Sequence, residues 1–159
     1  KNDKKLYLCI LLQYYCCMRP VEVTRLKIED IDFENGIVKI RKDVNLKSKR
    51  SRTLPVPKSV LKVIIQTKGK EFVLGRKYHE EYFKKRWRIL KKNIELKRDQ
   101  TLYSFKPTGA VRLYETTKDI IIVKEYCGHQ DINTTMRYLR NYGVIINMQQ
   151  KNLVPAIHD

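Results

Sequence analysis

Apolar positions crowd residues 6–18 so densely that no polar stripe of helical period separates them. Leu6, Leu8, Cys9, Ile10, Leu12, Tyr15 and Cys16 would cover most of the surface of a helix over residues 3–17. A helix that is apolar nearly all round belongs at the centre of a fold. It stops before Arg19-Pro20, because proline disfavours helix in the residue before it and suits the first position of a new one. A short helix over residues 21–26 follows, with Glu22 in its first turn, where a carboxylate meets the positive end of the helix dipole. Arg19 therefore sits in a tight connection at a helix N-terminus. It is either a capping or surface arginine or a guanidinium held by buried neighbours.

The period then changes to strands. Ile31 and Phe33, the turn Glu34-Asn35-Gly36, and Ile37, Val38 and Ile40 make a hairpin, since Asn-Gly is a strong signal for a short hairpin turn. A loop holding Lys47, Lys49, Arg50 and Arg52 leads to a third strand over residues 53–56, where Pro55 and Pro57 argue for a sheet edge. Four cations in six residues are either solvated charge or a seat for a phosphate backbone. Helical period returns over residues 59–66 and again over 80–94. In the second of these, Phe83, Trp87, Leu90 and Ile94 form a core stripe, backed by Lys84, Lys85, Arg88, Lys91 and Lys92. Further helices are expected over residues 107–117 and 120–127.

The last of these ends in the stretch that carries the most chemistry. Gly128 suits the left-handed position just past a helix C-terminus, where a Cβ is strained. His129 then lies where the chain turns, Asp131 or Asn133 caps the next helix, and Tyr138 falls within it. Tyr138 is one of 10 tyrosines, so ordinary packing is the plain alternative. The pattern as a whole is α+β, mainly α, with a small three-stranded antiparallel sheet on one side.

Composition changes the picture in one respect. The 159 residues make one domain of ordinary hydrophobicity (42% hydrophobic, 32% charged), but 34 Lys plus Arg face 17 Asp plus Glu, a formal charge of +17. Such self-repulsion in a folded domain points to a polyanion, most simply nucleic acid, and the cationic back of residues 80–94 is the natural face for it. No polybasic amphipathic anchor, signal peptide or long apolar span points to a membrane, and residues 6–18 are too short to cross one. Cys9, Cys16, Cys17 and Cys127 lack C-x-x-C spacing and read as reduced thiols of a cytoplasmic protein. A chain opening on Lys1 is expected to be a fragment of a longer protein with an N-terminal domain missing.

Phosphate-loop, dinucleotide and H-E-x-x-H motifs do not occur. Asp30 and Asp32, two apart on a strand, with Lys39 on the next, leave a metal-dependent nuclease as a distant alternative.

The motifs taken together resemble the catalytic domain of the tyrosine recombinases, the phage integrase family, over nearly the whole chain. C-M-R-P-V-E-V-T-R-L-K-I-E-D-I-D resembles the family's arginine box, with Arg19 at the catalytic arginine and Glu22 at the following acid. L-K-S-K-R-S-R-T-L-P-V-P is similar to the segment carrying the family's lysine, which implies Lys47, with Lys49 as the fallback. G-H-Q-D-I-N-T-T-M-R-Y resembles the final box, with His129 as the second histidine and Tyr138 as the nucleophile. The remaining box, usually His-x-x-Arg, reads Y-S-F-K-P-T-G-A here, placing Tyr103 and Lys106 at those positions. Lysine keeps the charge but lacks the planar fork, so the replacement is not equivalent.

The resemblance implies a catalytic domain over residues 1–142 and a tail over 143–159 that passes to a neighbouring protomer or folds back. It further implies double-stranded DNA as partner, a homotetramer on paired sites with the fragment itself monomeric, and chemistry without cofactor or metal. The expected activity is site-specific recombination through a 3′-phosphotyrosine, for integration or excision of a mobile element. A DNA-binding module of the same fold that has lost the chemistry, and a type IB topoisomerase, are the nearer alternatives.

Overall fold

A computed structural model describes residues 3–44, 50–94, 96, 97 and 99–144. At its centre is α1 (Lys4–Tyr15), begun by Asp3, whose side chain accepts the Leu6 N–H. Leu8, Cys9 and Leu12 are fully buried in it. Against it pack α2 (Pro20–Thr24), α3 (Lys58–Thr67), α4 (Glu80–Lys91) and α5 (Phe105–Thr117), and α6 (Ile120–Cys127) and α7 (Ile132–Asn141) pack on α5 and on each other. The contact of α5 with α1 is backbone-close: a Cβ on Gly109 would collide with the Tyr14 carbonyl, so only glycine lets the two helices meet there.

The expected hairpin forms β1 (Ile31–Asp32) and β2 (Ile37–Ile40), and β3 (Arg52–Pro55) completes an antiparallel sheet in the order β1-β2-β3. Asp32 fastens the turn by accepting from the Glu34 and Asn35 N–H groups. The third strand lies at an edge, as its prolines demand. Its alternation buries Arg52 and Leu54 while Thr53 and Pro55 face out, and Arg52 stands directly opposite Ile40. An arginine thus occupies a core-facing position of a strand.

The buried side chains form two clusters. The larger joins α1, α2, the sheet, α3 and α4; the smaller consists of Cys17, Ala110, Val123, Cys127 and Leu139, beneath α5, α6 and α7. Two expectations need correction. The stripe on α4 is core only in its first half: Phe83 and Trp87 are buried, whereas Leu90 and Ile94 are exposed, because α4 ends at Lys91 and Leu90 opens onto a groove near the start of α1. Arg52 is not part of a solvated cationic loop. The loop residues Lys47 and Lys49, and the tail residues 145–159 with Ile145, Ile146 and Met148, lie outside the described residues.

Candidate active site

Arg19 is placed by a sharp reversal after α1. Cys17 adopts a left-handed backbone (φ 47°), Met18 is buried, and Arg19 becomes the N-cap of α2, with Pro20 opening the helix. Glu22, one turn on, is expected to serve the helix dipole. It does much more. Its Oε2 accepts the Arg19 backbone N–H at 2.7 Å and its Oε1 accepts Arg19 Nη1 at 3.0 Å. From the other side Arg52 donates Nη1 to Oε1 at 3.0 Å and Nη2 to Oε2 at 2.9 Å.

The carboxylate has no exposure and the Arg52 side chain has 6%. Burial pushes the Glu22 carboxyl up, but the Arg52 hydrogen bonds and charge, with Lys106 and the Arg19 N–H, outweigh it and hold the group below the usual carboxylate range. Glu22 is therefore an anion between two arginines, a compensated buried charge.

His129 is placed by the end of α6. Gly128 takes the left-handed cap (φ 66°) and accepts the Arg52 guanidinium against its face: a Cβ there would lie 2.9 Å from Nη1. Asp131 then caps α7 by accepting the Thr134 N–H at 2.8 Å. His129 Nδ1 lies 3.0 Å from the hydroxyl of the buried Thr135, which leaves Nε2 as the ring's other functional atom. Burial, then the charges of Lys106, Arg19 and Arg52, push this imidazole down to about 4. It is neutral at physiological pH in the free protein.

Tyr138 stacks edge-on to His129 with ring centroids 5.2 Å apart, and Tyr142 closes its other side at 5.1 Å. Its hydroxyl is buried and has no hydrogen-bond partner among the described residues. Burial, reinforced by Cys127, Tyr103 and Tyr142, raises its pKa, so the phenol is held protonated.

Tyr103 lies in a 3₁₀ turn (Leu102–Ser104), partly exposed, where burial pushes its phenol up against the opposing charge of Arg19, with Tyr138 close by. It opens onto a pocket of about 580 Å³ shared with Arg19, Trp87, Lys84, Arg88 and Lys91. The cationic back of α4 and the arginine connection therefore face one groove.

Lys106 takes a less obvious place. In the first turn of α5 it is 1% exposed, and its Nζ donates to the carbonyl of Cys17 and, at 3.3 Å, to that of Cys127. These carbonyls precede Arg19 and His129 by two residues each. Burial lowers the ammonium's pKa. Lys106 is thus a tie beneath the two loops, not a charge presented at the surface.

Five of the six residues singled out from sequence, Arg19, Tyr103, Lys106, His129 and Tyr138, come together at one end of α5, α6 and α7. Lys47 lies outside the described residues, but its loop returns at Arg50, beside Gly128 and His129. The residues that sequence reasoning missed are Thr135 and, above all, Arg52. Arg52 stands two residues before Leu54, and the strand alternation was the signal that could have found it. Asp30 and Asp32 do not converge: Asp30 caps the Lys27 N–H and pairs with Arg41, while Asp32 is spent on the hairpin turn.

The comparisons with known proteins agree with this fold. Residues 1–143 match the profile of the phage integrase family. Tyrosine recombinase XerA of Pyrococcus furiosus is 33% identical over 147 residues, 84% of this chain and 49% of that protein. The integrase of Haemophilus phage HP1 is 30% identical over 94 residues, 59% of this chain and 26% of that protein. The chain thus spans about half the length of the XerA relative. Among solved structures, a XerA recombinase superposes with a TM-score of 0.72 at 19% identity, covering 86% of this chain and 53% of that one. A lambda integrase dimer bound to a core site gives 0.71 at 16% identity, with 89% and 43% covered. Identities this low speak to the fold alone.

Proposed function

We propose that this chain, which belongs to the phage integrase family, cuts and rejoins DNA at specific sites through a 3′-phosphotyrosine on Tyr138. The observation that carries this reading is the buried Tyr138 hydroxyl, without a geometrically satisfied partner among the described residues, beside the His129 ring and in the same cluster as Arg19. A buried hydroxyl left unpaired costs free energy in the free protein, and a bound phosphate gives it a use.

In the reaction, Tyr138 Oη attacks the scissile phosphorus. The P–Oη bond forms, the P–O5′ bond breaks, and the phenol proton passes to a solvent water molecule. The 5′-oxygen takes a proton from a general acid, for which Lys47 on the hairpin loop is the candidate, with Lys49 as the fallback. The phosphodiester bond energy is kept in the covalent link, so rejoining needs no external energy source. Negative charge gathers on the non-bridging oxygens, where the Arg19 guanidinium and a proton on His129 Nε2 stabilise it. If the Thr135 hydroxyl donates to Nδ1, the neutral imidazole carries its proton on Nε2, aimed away from the protein. Removing one such donor costs about 10²–10³ in rate. Tyr103 flanks the phosphate from the α4 side, and Lys106 acts a layer deeper, through the loops it ties.

The partner is duplex DNA, gripped along the groove of Arg19, Lys84, Arg88 and Lys91, with four protomers assembling on paired sites. Integration or excision of a mobile element is the role this supports, with chemistry independent of a metal. A second reading is favoured by one observation: the buried Lys106 ammonium, where a fork-shaped guanidinium is expected, suits a DNA-binding module that kept the fold and lost the chemistry.

Incubation of the protein with a randomised library of nicked duplexes, in EDTA, separates the two. The expected result is an SDS-resistant DNA adduct on the peptide bearing Tyr138, absent from Tyr138→Phe. Adducts persisting in that variant would remove Tyr138 as nucleophile, and a strict need for Mg²⁺ would revive the nuclease. Relaxation of plasmids without exchange between two sites would indicate a topoisomerase.

A further inference from the structure

We propose that Arg52 is a positioning residue of this site, setting where Arg19 and His129 stand without itself touching DNA. The proposal rests on the strand-transfer reading above and deepens it.

Three observations carry it. First, Arg52 occupies a core-facing position on β3, opposite Ile40, where the strand pattern calls for an apolar side chain. Second, its three guanidinium nitrogens all have partners: Nη1 and Nη2 grip Glu22, and Nε donates to the Tyr126 carbonyl at 3.1 Å. Glu22 in turn accepts two hydrogen bonds from Arg19, so the fork of one arginine reaches the other through a single rigid carboxylate. Third, the same guanidinium packs on Gly128, where no Cβ fits, and His129 follows at once. One planar group therefore fixes two loops, anchored 30 residues away at Glu22 and 74 residues away at Tyr126.

The chemistry of the fork is what the arrangement uses. A buried ion pair is poor evidence for stability as such, since apolar replacements of matching volume often serve as well. A guanidinium differs in holding two acceptors in one plane, which an ammonium does not reproduce. If Arg19 moves by about 1 Å from the non-bridging oxygen it stabilises, a loss of about 10² in rate is expected.

The test uses the protein with a nicked duplex recovered from the randomised library, and reads the rate of adduct formation at saturating DNA separately from DNA affinity. Arg52→Lys keeps one charge and loses the fork. Arg52→Met combined with Glu22→Gln removes both charges of the buried pair, keeps an amide oxygen to accept from Arg19 and guards against a folding failure. Both are expected to slow adduct formation by about 10² with unchanged affinity. A second substrate carries an uncharged methylphosphonate at the scissile position, so that a misplaced Arg19 matters less. On it the loss should shrink to about tenfold or less. Equal losses on the two substrates, or a loss of affinity alone, would mean a merely structural role and overturn the proposal. No adduct from the unmodified protein defeats the strand-transfer reading itself. A Tyr138 adduct formed at the same rate with and without Arg52 defeats only the positioning role.

Discussion

The arginine side of the site and the tyrosine side are built on opposite plans. Arg19, Glu22 and Arg52 form a closed chain of charge-assisted hydrogen bonds over the larger core cluster, with the carboxylate fully buried. Tyr138 rides on α7, which packs on α5 and α6 over the smaller cluster of Cys17, Ala110, Val123, Cys127 and Leu139, and its hydroxyl has no partner among the described residues. The first arrangement is settled before any substrate arrives. The second is left incomplete, so that the substrate supplies what is missing. Preorganised cations cost no reorganisation at the moment of reaction. On the proposed reading, a phenol held protonated in this way stays idle until a phosphate comes within reach.

This contrast can be broken by stability measurements, taken from the largest effect to the smallest. Glu22→Ala leaves two guanidinium groups without their anion, one of them buried, and should cost about 3–5 kcal/mol in urea unfolding; a loss under about 1 kcal/mol would mean that the arginine side is no rigid frame. Gly128→Ala strains a left-handed backbone and crowds Arg52 Nη1, at a cost of about 1–2 kcal/mol. A neutral result would detach the His129 turn from Arg52. Tyr138→Phe, by contrast, removes a buried hydroxyl with no hydrogen-bond partner among the described residues, and should leave stability unchanged or raise it by about 1 kcal/mol. Destabilisation by that change would reveal a partner and undo the contrast.

The last effect is one of pH. His129 is held at about 4 in the folded chain against an ordinary 6.5, so between those values the unfolded chain binds a proton that the folded chain refuses. Stability should therefore fall as the pH drops from about 6.5 towards about 4, and His129→Gln should flatten that slope in thermal melts. An unchanged slope would place the His129 ring in water. Hydrogen exchange refines the same comparison, with faster exchange expected along α7 than along α1.

The expectations that held were those with local causes. Asn35-Gly36 announced the hairpin, the apolar surface of α1 announced its central place, and Gly128 announced both the end of α6 and the turn that carries His129. The α4 stripe misled at Leu90 and Ile94, since periodicity tells which residues share a face but not how far the neighbouring helix extends beneath them. Lys106 and Arg52 were legible only as cations. That one ties two carbonyls and the other locks a buried carboxylate depends on partners far away in sequence.

By itself, then, the order of residues determined the elements, their caps and the candidate reactive groups, because backbone strain and helical or strand period act within a few residues. Only the folded chain decided which cations face outwards and which are consumed inside. That choice follows from desolvation and pairing across the core, and no window of sequence contains both partners.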